Sequence, residues 1–194
     1  MARKRNQPHV IILAGPNGAG KSTAAPELLA DTLAITEFVN ADVIARGLSG
    51  FDPDNAAMEA AAVMLQRLRE LAKSRRNFAF ETTLAGRTLA PWIKELRADG
   101  YAVHLHFLWL SSPDLAVARV RQRVAEGGHD VPEETIRRRY VRGIANLIHL
   151  YIPLVSTWMC YDNSLTTGFR IIAQGRGRHT VIADRDLWRR ITAS

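Results

Sequence analysis

The chain has 194 residues, 47% hydrophobic and 23% charged, a balance that suits one globular domain and excludes a disordered or fibrous chain. Its single cysteine, Cys160, excludes an internal disulfide and a multi-cysteine zinc site, and no apolar run approaches the roughly 20 residues that span a bilayer. The net charge of +7 rests on 26 basic residues, 22 of them arginine, which points to phosphate or nucleic acid as the ligand class, or to a solvated basic surface.

Residues 1–7 form a basic tail without a long apolar segment or cleavage-like site, so no signal peptide is expected and the expected location is cytoplasmic. Residues 10–14 read as a buried strand. They run into Gly15, Pro16, Asn17, Gly18, Ala19, Gly20, Lys21 and Ser22, which have the spacing G-x-x-x-x-G-K-[ST] of a nucleotide phosphate-binding loop. A helix begins at Gly20-Lys21, runs through Leu28-Leu29 and carries Thr23 and Pro26 in its first turns. Strand, turn and helix N-terminus aim backbone N–H groups and the positive end of a helix dipole at one anion site. Lys21 is expected to reach the β- and γ-phosphates of ATP, and the Ser22 hydroxyl to ligate Mg²⁺.

Further along, residues 36–40 read as a second strand. A helix over 55–73 has Asp52 or Asp54 as its start signal and Ala57, Ala60, Ala61, Met64, Leu65, Leu68 and Leu71 on one face. Strands follow at 77–80 and 103–110, and helices at 88–97, 113–125 and 133–150, with Ser112 and Pro132-Glu133 starting the last two. A fifth strand covers 169–173, 180–183 adds an edge strand, and Leu187, Trp188 and Ile191 anchor a last short helix. His104 and His106 alternate within a strand and read as packing positions rather than metal ligands. The strand–helix alternation predicts an α/β phosphate-loop NTPase fold: a five-stranded, mainly parallel sheet with helices on both faces, in one domain over 1–194.

In such sheets ligands gather beyond the carboxyl ends of the strands. Polar groups stand at each of those ends here: the phosphate loop, then Asn40-Ala41-Asp42, Glu81-Thr82-Thr83, Ser111-Ser112, and Tyr161-Asp162-Asn163-Ser164 before the fifth strand. The N-K-x-D base-reading motif of GTPases is absent, and no strand end matches a motor-type ATPase well. A small-molecule kinase needs a base beside the acceptor hydroxyl and arginines that close over the moving phosphoryl group. Asp42 suits the base, although a helix N-cap or a contact near the metal are alternatives for it. Residues 126–133 suit a lid hinge, with Arg119 and Arg123 on one side and Arg138 and Arg142 on the other.

Four segments beyond the phosphate loop carry a more specific resemblance: 40–45, 81–84, 127–140 and 161–164. Together they resemble a zeta toxin-like phosphate-loop kinase over roughly residues 9–175. The resemblance implies an ATP- and Mg²⁺-dependent kinase of the nucleoside-monophosphate-kinase-like fold with an arginine-bearing lid. The acceptor it implies is a hydroxyl of UDP-N-acetylglucosamine, and the partner is a small antitoxin. It also implies Asp42 as catalytic base, Asn40, Asp42, Glu81 and Thr83 as substrate-binding groups, Lys21 and Ser22 as phosphate and metal contacts (Asp42 sharing the metal), and Arg123 and Arg138 as charge stabilisers. Arg119 and Asn163 are expected beside the nucleotide. One departure stands out: the family's arginine two positions beyond the threonine is Ala85 here, and Arg87 is the nearest substitute. A polynucleotide 5′-hydroxyl kinase is a second reading, and a toxin–antitoxin component whose main role is partner binding is a third. Nucleic acid is not the expected partner, because no row of aromatics interleaves with the arginines as stacking platforms.

Overall fold

The computed structural model describes residues 7–30, 35–49, 56–165, 168–177 and 179–193. Its strands are β1 (His9–Ala14), β2 (Phe38–Val39), β3 (Phe78–Thr82), β4 (Ala102–Trp109), β5 (Thr157–Asp162), β6 (Arg170–Arg176) and β7 (His179–Ile182). They form one sheet in the order β2-β3-β1-β4-β5-β6-β7. The helices are α1 (Lys21–Ala30), α2 (Ala41–Leu48), α3 (Ala57–Lys73), α4 (Leu89–Ala98), α5 (Pro113–Ala125), α6 (Glu133–Asn146) and α7 (Arg185–Thr192). The start signals expected at Asp52 or Asp54, and the basic tail over 1–6, lie outside the described residues.

Strand β1 is central, and its sequence states why. Val10, Ile12 and Ala14 point to one face and Ile11 and Leu13 to the other, and all five are fully buried, as an unbroken apolar run requires when both faces are covered. Its register fixes the site. Ala14 pairs with Thr82 and with Phe107, so β1 and β3 end level, and the phosphate loop starts beside Glu81. The Gly15 amide donates to the Thr82 carbonyl at 3.3 Å, which ties the loop to that strand end.

The parallel part of the sheet has five strands, but the fifth is β5, where no strand was expected. Thr157–Asp162 shows no polar–apolar alternation, because it runs between β4 and β6 inside the sheet. The strand expected at 169–173 is β6, and it runs antiparallel to β5. Only residues 163–169 separate β5 from β6, fewer than the dozen or so that a parallel crossover needs. The sheet is therefore mixed, with the edge strand β7 also antiparallel. The helix expected over 133–150 stops at Asn146 and continues as a π-helical turn, Leu147–Tyr151, and a short 3₁₀ turn, Ile152–Leu154.

His104 and His106 do share a face, and they are packing groups. His9 Nδ1 lies 2.9 Å from His104 Nε2, His104 Nδ1 lies 2.7 Å from Thr157 Oγ1, and His106 Nδ1 lies 3.1 Å from the Tyr161 hydroxyl. Among the described residues no group of three or more His, Cys, Asp or Glu side chains is arranged to hold a metal ion. Burial pushes the His106 imidazole down to about 4, and neighbouring His104 adds to the shift. The unfolded chain therefore binds the proton first. Stability contributed by neutral His106 is complete above about pH 6.5 and is lost as the pH falls towards 4. Denaturant titrations at pH 7 and pH 4.5 are expected to differ by about 2–3 kcal/mol more in the wild type than in His106→Phe. Equal differences in the two proteins would remove His106 as the cause.

Candidate active site

Backbone geometry builds the anion site first. Gly18 and Gly20 sit at φ +76° and +75°, and a Cβ on them would fall 2.7 Å from the Ala116 carbonyl and 2.9 Å from Asn163 Nδ2. Only glycine lets α5 and Asn163 close on the loop this tightly. Helix α1 opens directly behind, with no acidic residue in its first turn to oppose an anion. Lys21 is buried, and its Nζ donates to the carbonyls of Gly15 and Pro16, each at 3.0 Å, with Glu81 Oε1 at 3.5 Å. Burial lowers the Lys21 ammonium below its usual range, while Glu81 and then Asp42 pull it back up. A cation so poorly solvated is held ready for phosphate oxygens.

Glu81, at the end of β3, organises the polar floor. Its Oε2 accepts from the Ser22 hydroxyl at 2.7 Å and from Asn40 Nδ2 at 2.9 Å. Asn40 is itself buried, and its Oδ1 accepts from the amides of Asp42 at 2.7 Å and Val43 at 3.2 Å. Asn40 is thus the N-cap of α2, so the capping role left open for Asp42 is filled by its neighbour. Asp42 lies in the first turn of α2 with its side chain lining the same cleft, and its charge is felt by both Lys21 and Arg139. The Ser22 hydroxyl and the carboxylates of Glu81 and Asp42 are hard oxygen donors of the kind Mg²⁺ takes.

The cleft they border holds about 690 Å³. Asn17, Thr23, Thr83, Arg119, Arg123 and Arg139 line it, together with an apolar wall of Ala61, Met64, Leu65 and Leu89 from α3 and α4. Arg123 donates to the His129 carbonyl at 2.6 Å, across the Gly127-Gly128 turn, and its buried Nε has no hydrogen-bond partner among the described residues. Arg119 clamps the loop after β5, donating to the carbonyls of Asn163 at 2.7 Å and Ser164 at 3.0 Å, while Asn163 Nδ2 donates to the Ala19 carbonyl at 2.8 Å. Beside that clamp a second cleft, about 340 Å³, runs between Thr23, Glu27, Leu165, Gly168 and Phe169.

Two expected residues stand elsewhere. Arg138 is exposed, donates to Thr135 Oγ1 at 3.3 Å and does not line the cleft; Arg139 does, 3.5 Å from Asn17 Oδ1. The i,i+4 pairing of Arg138 with Arg142 followed spacing within the helix and could not see which face met the phosphate loop. Buried Ile136, Tyr140 and Gly143 mark the packed face, and Arg139 borders it. Arg87 is exposed and directed to Asn146 Oδ1 at 3.3 Å, so it does not replace the missing arginine at Ala85, which lines the cleft itself. The apolar wall was legible only as a helix face. Nothing in its spacing separated core from cleft.

A family model described as an AAA domain matches residues 10–140. The chain belongs to the AAA domain family. This family member is 29% identical to an uncharacterized protein of Haemophilus influenzae over 143 residues, which are 72% of this chain and the whole of that one. Among solved structures it is similar to the AvrRxo1-ORF1:AvrRxo1-ORF2 complex, at a TM-score of 0.75 and 18% identity over 96% of this chain. The chain spans 64% of that protein, which has also been solved with ATP. The PezAT chromosomal toxin–antitoxin system of Streptococcus pneumoniae is similar as well, at a TM-score of 0.68 and 16% identity over 97% of this chain and 80% of that one. At these identities the likeness is one of fold, an α/β phosphate-loop kinase-like fold with a mixed sheet flanked by helices.

Proposed function

We propose that this AAA domain protein is a phosphotransferase that moves the γ-phosphoryl group of ATP to a hydroxyl of a small molecule. The observation that carries the reading is the gathering of both charges on one cleft: carboxylates Asp42 and Glu81 line it together with Lys21, Arg119, Arg123 and Arg139. In the proposed step Asp42 accepts the acceptor's O–H proton as that oxygen bonds to the γ-phosphorus, and the bond to the β,γ-bridging oxygen breaks to release ADP. Lys21, Arg123 and Arg139 hold the charge on the moving group, and Ser22 and Glu81 would hold Mg²⁺. When bound, that ion would supply neutralisation of the negative charge on the nucleotide phosphates. The smaller cleft beside Arg119 and Asn163 is the proposed seat of the base.

The segments that resemble zeta toxins favour a nucleotide sugar such as UDP-N-acetylglucosamine as acceptor, and a small antitoxin as partner, in a cytoplasmic setting. Likeness of fold to the PezAT system supports the same reading. Incubation with labelled ATP and a metabolite panel containing UDP-sugars tests it, and one metabolite is expected to gain about 80 Da, one phosphoryl group. ATP consumed without any metabolite gaining that mass would make the protein an ATPase.

A further inference from the structure

The loop that follows β3 is suspended from the arginine-bearing helix by successive carbonyls. Gly143 of α6 packs against the Thr83 carbonyl so closely that a Cβ there would lie 2.6 Å from its oxygen. One turn on, buried Asn146 donates from Nδ2 to the Leu84 carbonyl at 2.8 Å and to the Ala85 carbonyl at 3.3 Å. Within the π-helical turn, the hydroxyl of fully buried Tyr151 donates to the Gly86 carbonyl at 2.6 Å. The loop amides are held from the other side: Leu84 by Thr82 Oγ1 at 3.2 Å and Ala85 by Thr83 Oγ1 at 3.4 Å. Leu84 sits at φ +56°, a strained conformation for a branched side chain that persists only where its surroundings impose it.

The same helix face carries Arg139. Residues 139, 143 and 146 follow one another at spacings of four and three, so they stack along one side of α6. At one end Arg139 meets Asn17 of the phosphate loop, and at the other Asn146 holds Leu84 and Ala85. A π-helical turn directly after Asn146 brings Tyr151 to the next carbonyl, and such turns recur at functional sites. Thr82, Thr83, Ala85, Gly86 and Thr88 all line the cleft.

We infer that Asn146 is a positioning residue through which α6, seated on the nucleotide phosphates by Arg139, sets the acceptor loop over residues 83–88. Nucleotide binding at one end of the helix then orders acceptor contacts at the other. The inference rests on the kinase reading of this cleft, since it takes the ligand at Arg139 to be a nucleotide polyphosphate.

Hydrogen–deuterium exchange of the whole chain tests it without a known acceptor. In the wild type, a non-hydrolysable ATP analogue with Mg²⁺ is expected to slow exchange over residues 84–88. In Asn146→Ala that protection is expected to fall by about tenfold, the exchange equivalent of losing one buried hydrogen-bonded group, while analogue affinity changes by less than about threefold. Tyr151→Phe, which removes one hydroxyl and little packing, is expected to fold normally and lose part of the protection at 86–88. That second variant decides the matter if Asn146→Ala does not fold. Wild-type protection retained in both variants would overturn the inference, as would an equal loss of protection across the whole domain. Failure of the wild type to bind the analogue would instead overturn the kinase reading.

Discussion

Asp42→Asn is expected to lower phosphoryl transfer by about 10²–10⁴-fold, the range that a positioned general base contributes. The exchange keeps the shape of the side chain and its place in the first turn of α2, because that turn is set by Asn40, whose Oδ1 caps the amides of residues 42 and 43. What disappears is a group able to take the acceptor's proton. An interaction made only in the transition state affects kcat and kcat/KM equally. ATP affinity is therefore expected to stay within about threefold of wild type. The measurement is transfer to whichever metabolite gains the phosphoryl group, beside ATP binding by a fluorescent analogue. Turnover within about threefold of wild type would remove Asp42 from the mechanism. A collapse of ATP binding would move its role to the metal.

What the sequence disclosed follows from how local each signal is. The phosphate loop, Asn40 beside Asp42, and Glu81 were legible because each lies at a strand end, where eight residues or fewer carry both the backbone turn and the chemistry. Strand β4 and helix α5 were read within a residue or two for the same reason: an apolar run and a Ser112-Pro113 start signal are local. Strand β5 was not legible, since its residues answer to β4 and β6 on either side and not to a period of their own. Arg139 in place of Arg138 is the same lesson at one-residue resolution. Four arginines lie within residues 137–142, and only tertiary packing selects the one that enters the cleft. Arg137 is occupied elsewhere, at 2.7 Å from Asp114 and 2.8 Å from Glu133. Asn146 and Tyr151 act through carbonyls some sixty residues away, a relation that no spacing rule encodes.

Lys21→Met is expected to weaken ATP binding by about tenfold to a hundredfold, the equivalent of the roughly 1.5–3 kcal/mol that a hydrogen bond to a charged group contributes. Transfer is expected to fall further than binding, because charge builds on the γ-phosphoryl oxygens as it moves. The fold itself should tolerate the change. Methionine removes the desolvation of the buried cation and fills similar space, and the Glu81 carboxylate that loses its cation is partly exposed rather than sealed in the core. Glu81 keeps its bonds from Ser22 and Asn40, so the floor of the cleft retains two of its three partners. Loss of ATP binding with an unfolding midpoint within a few degrees of wild type would mark Lys21 as a phosphate contact. A midpoint lowered by about 10 °C or more would mean that the Lys21–Glu81 pair holds the loop together, and lost binding would then report a misshapen site. Lys21→Arg separates the two outcomes. It keeps the charge, but its planar fork cannot reproduce one Nζ shared between the Gly15 and Pro16 carbonyls, so restored stability without restored transfer would show that the ammonium's geometry, and not its charge alone, serves the phosphate.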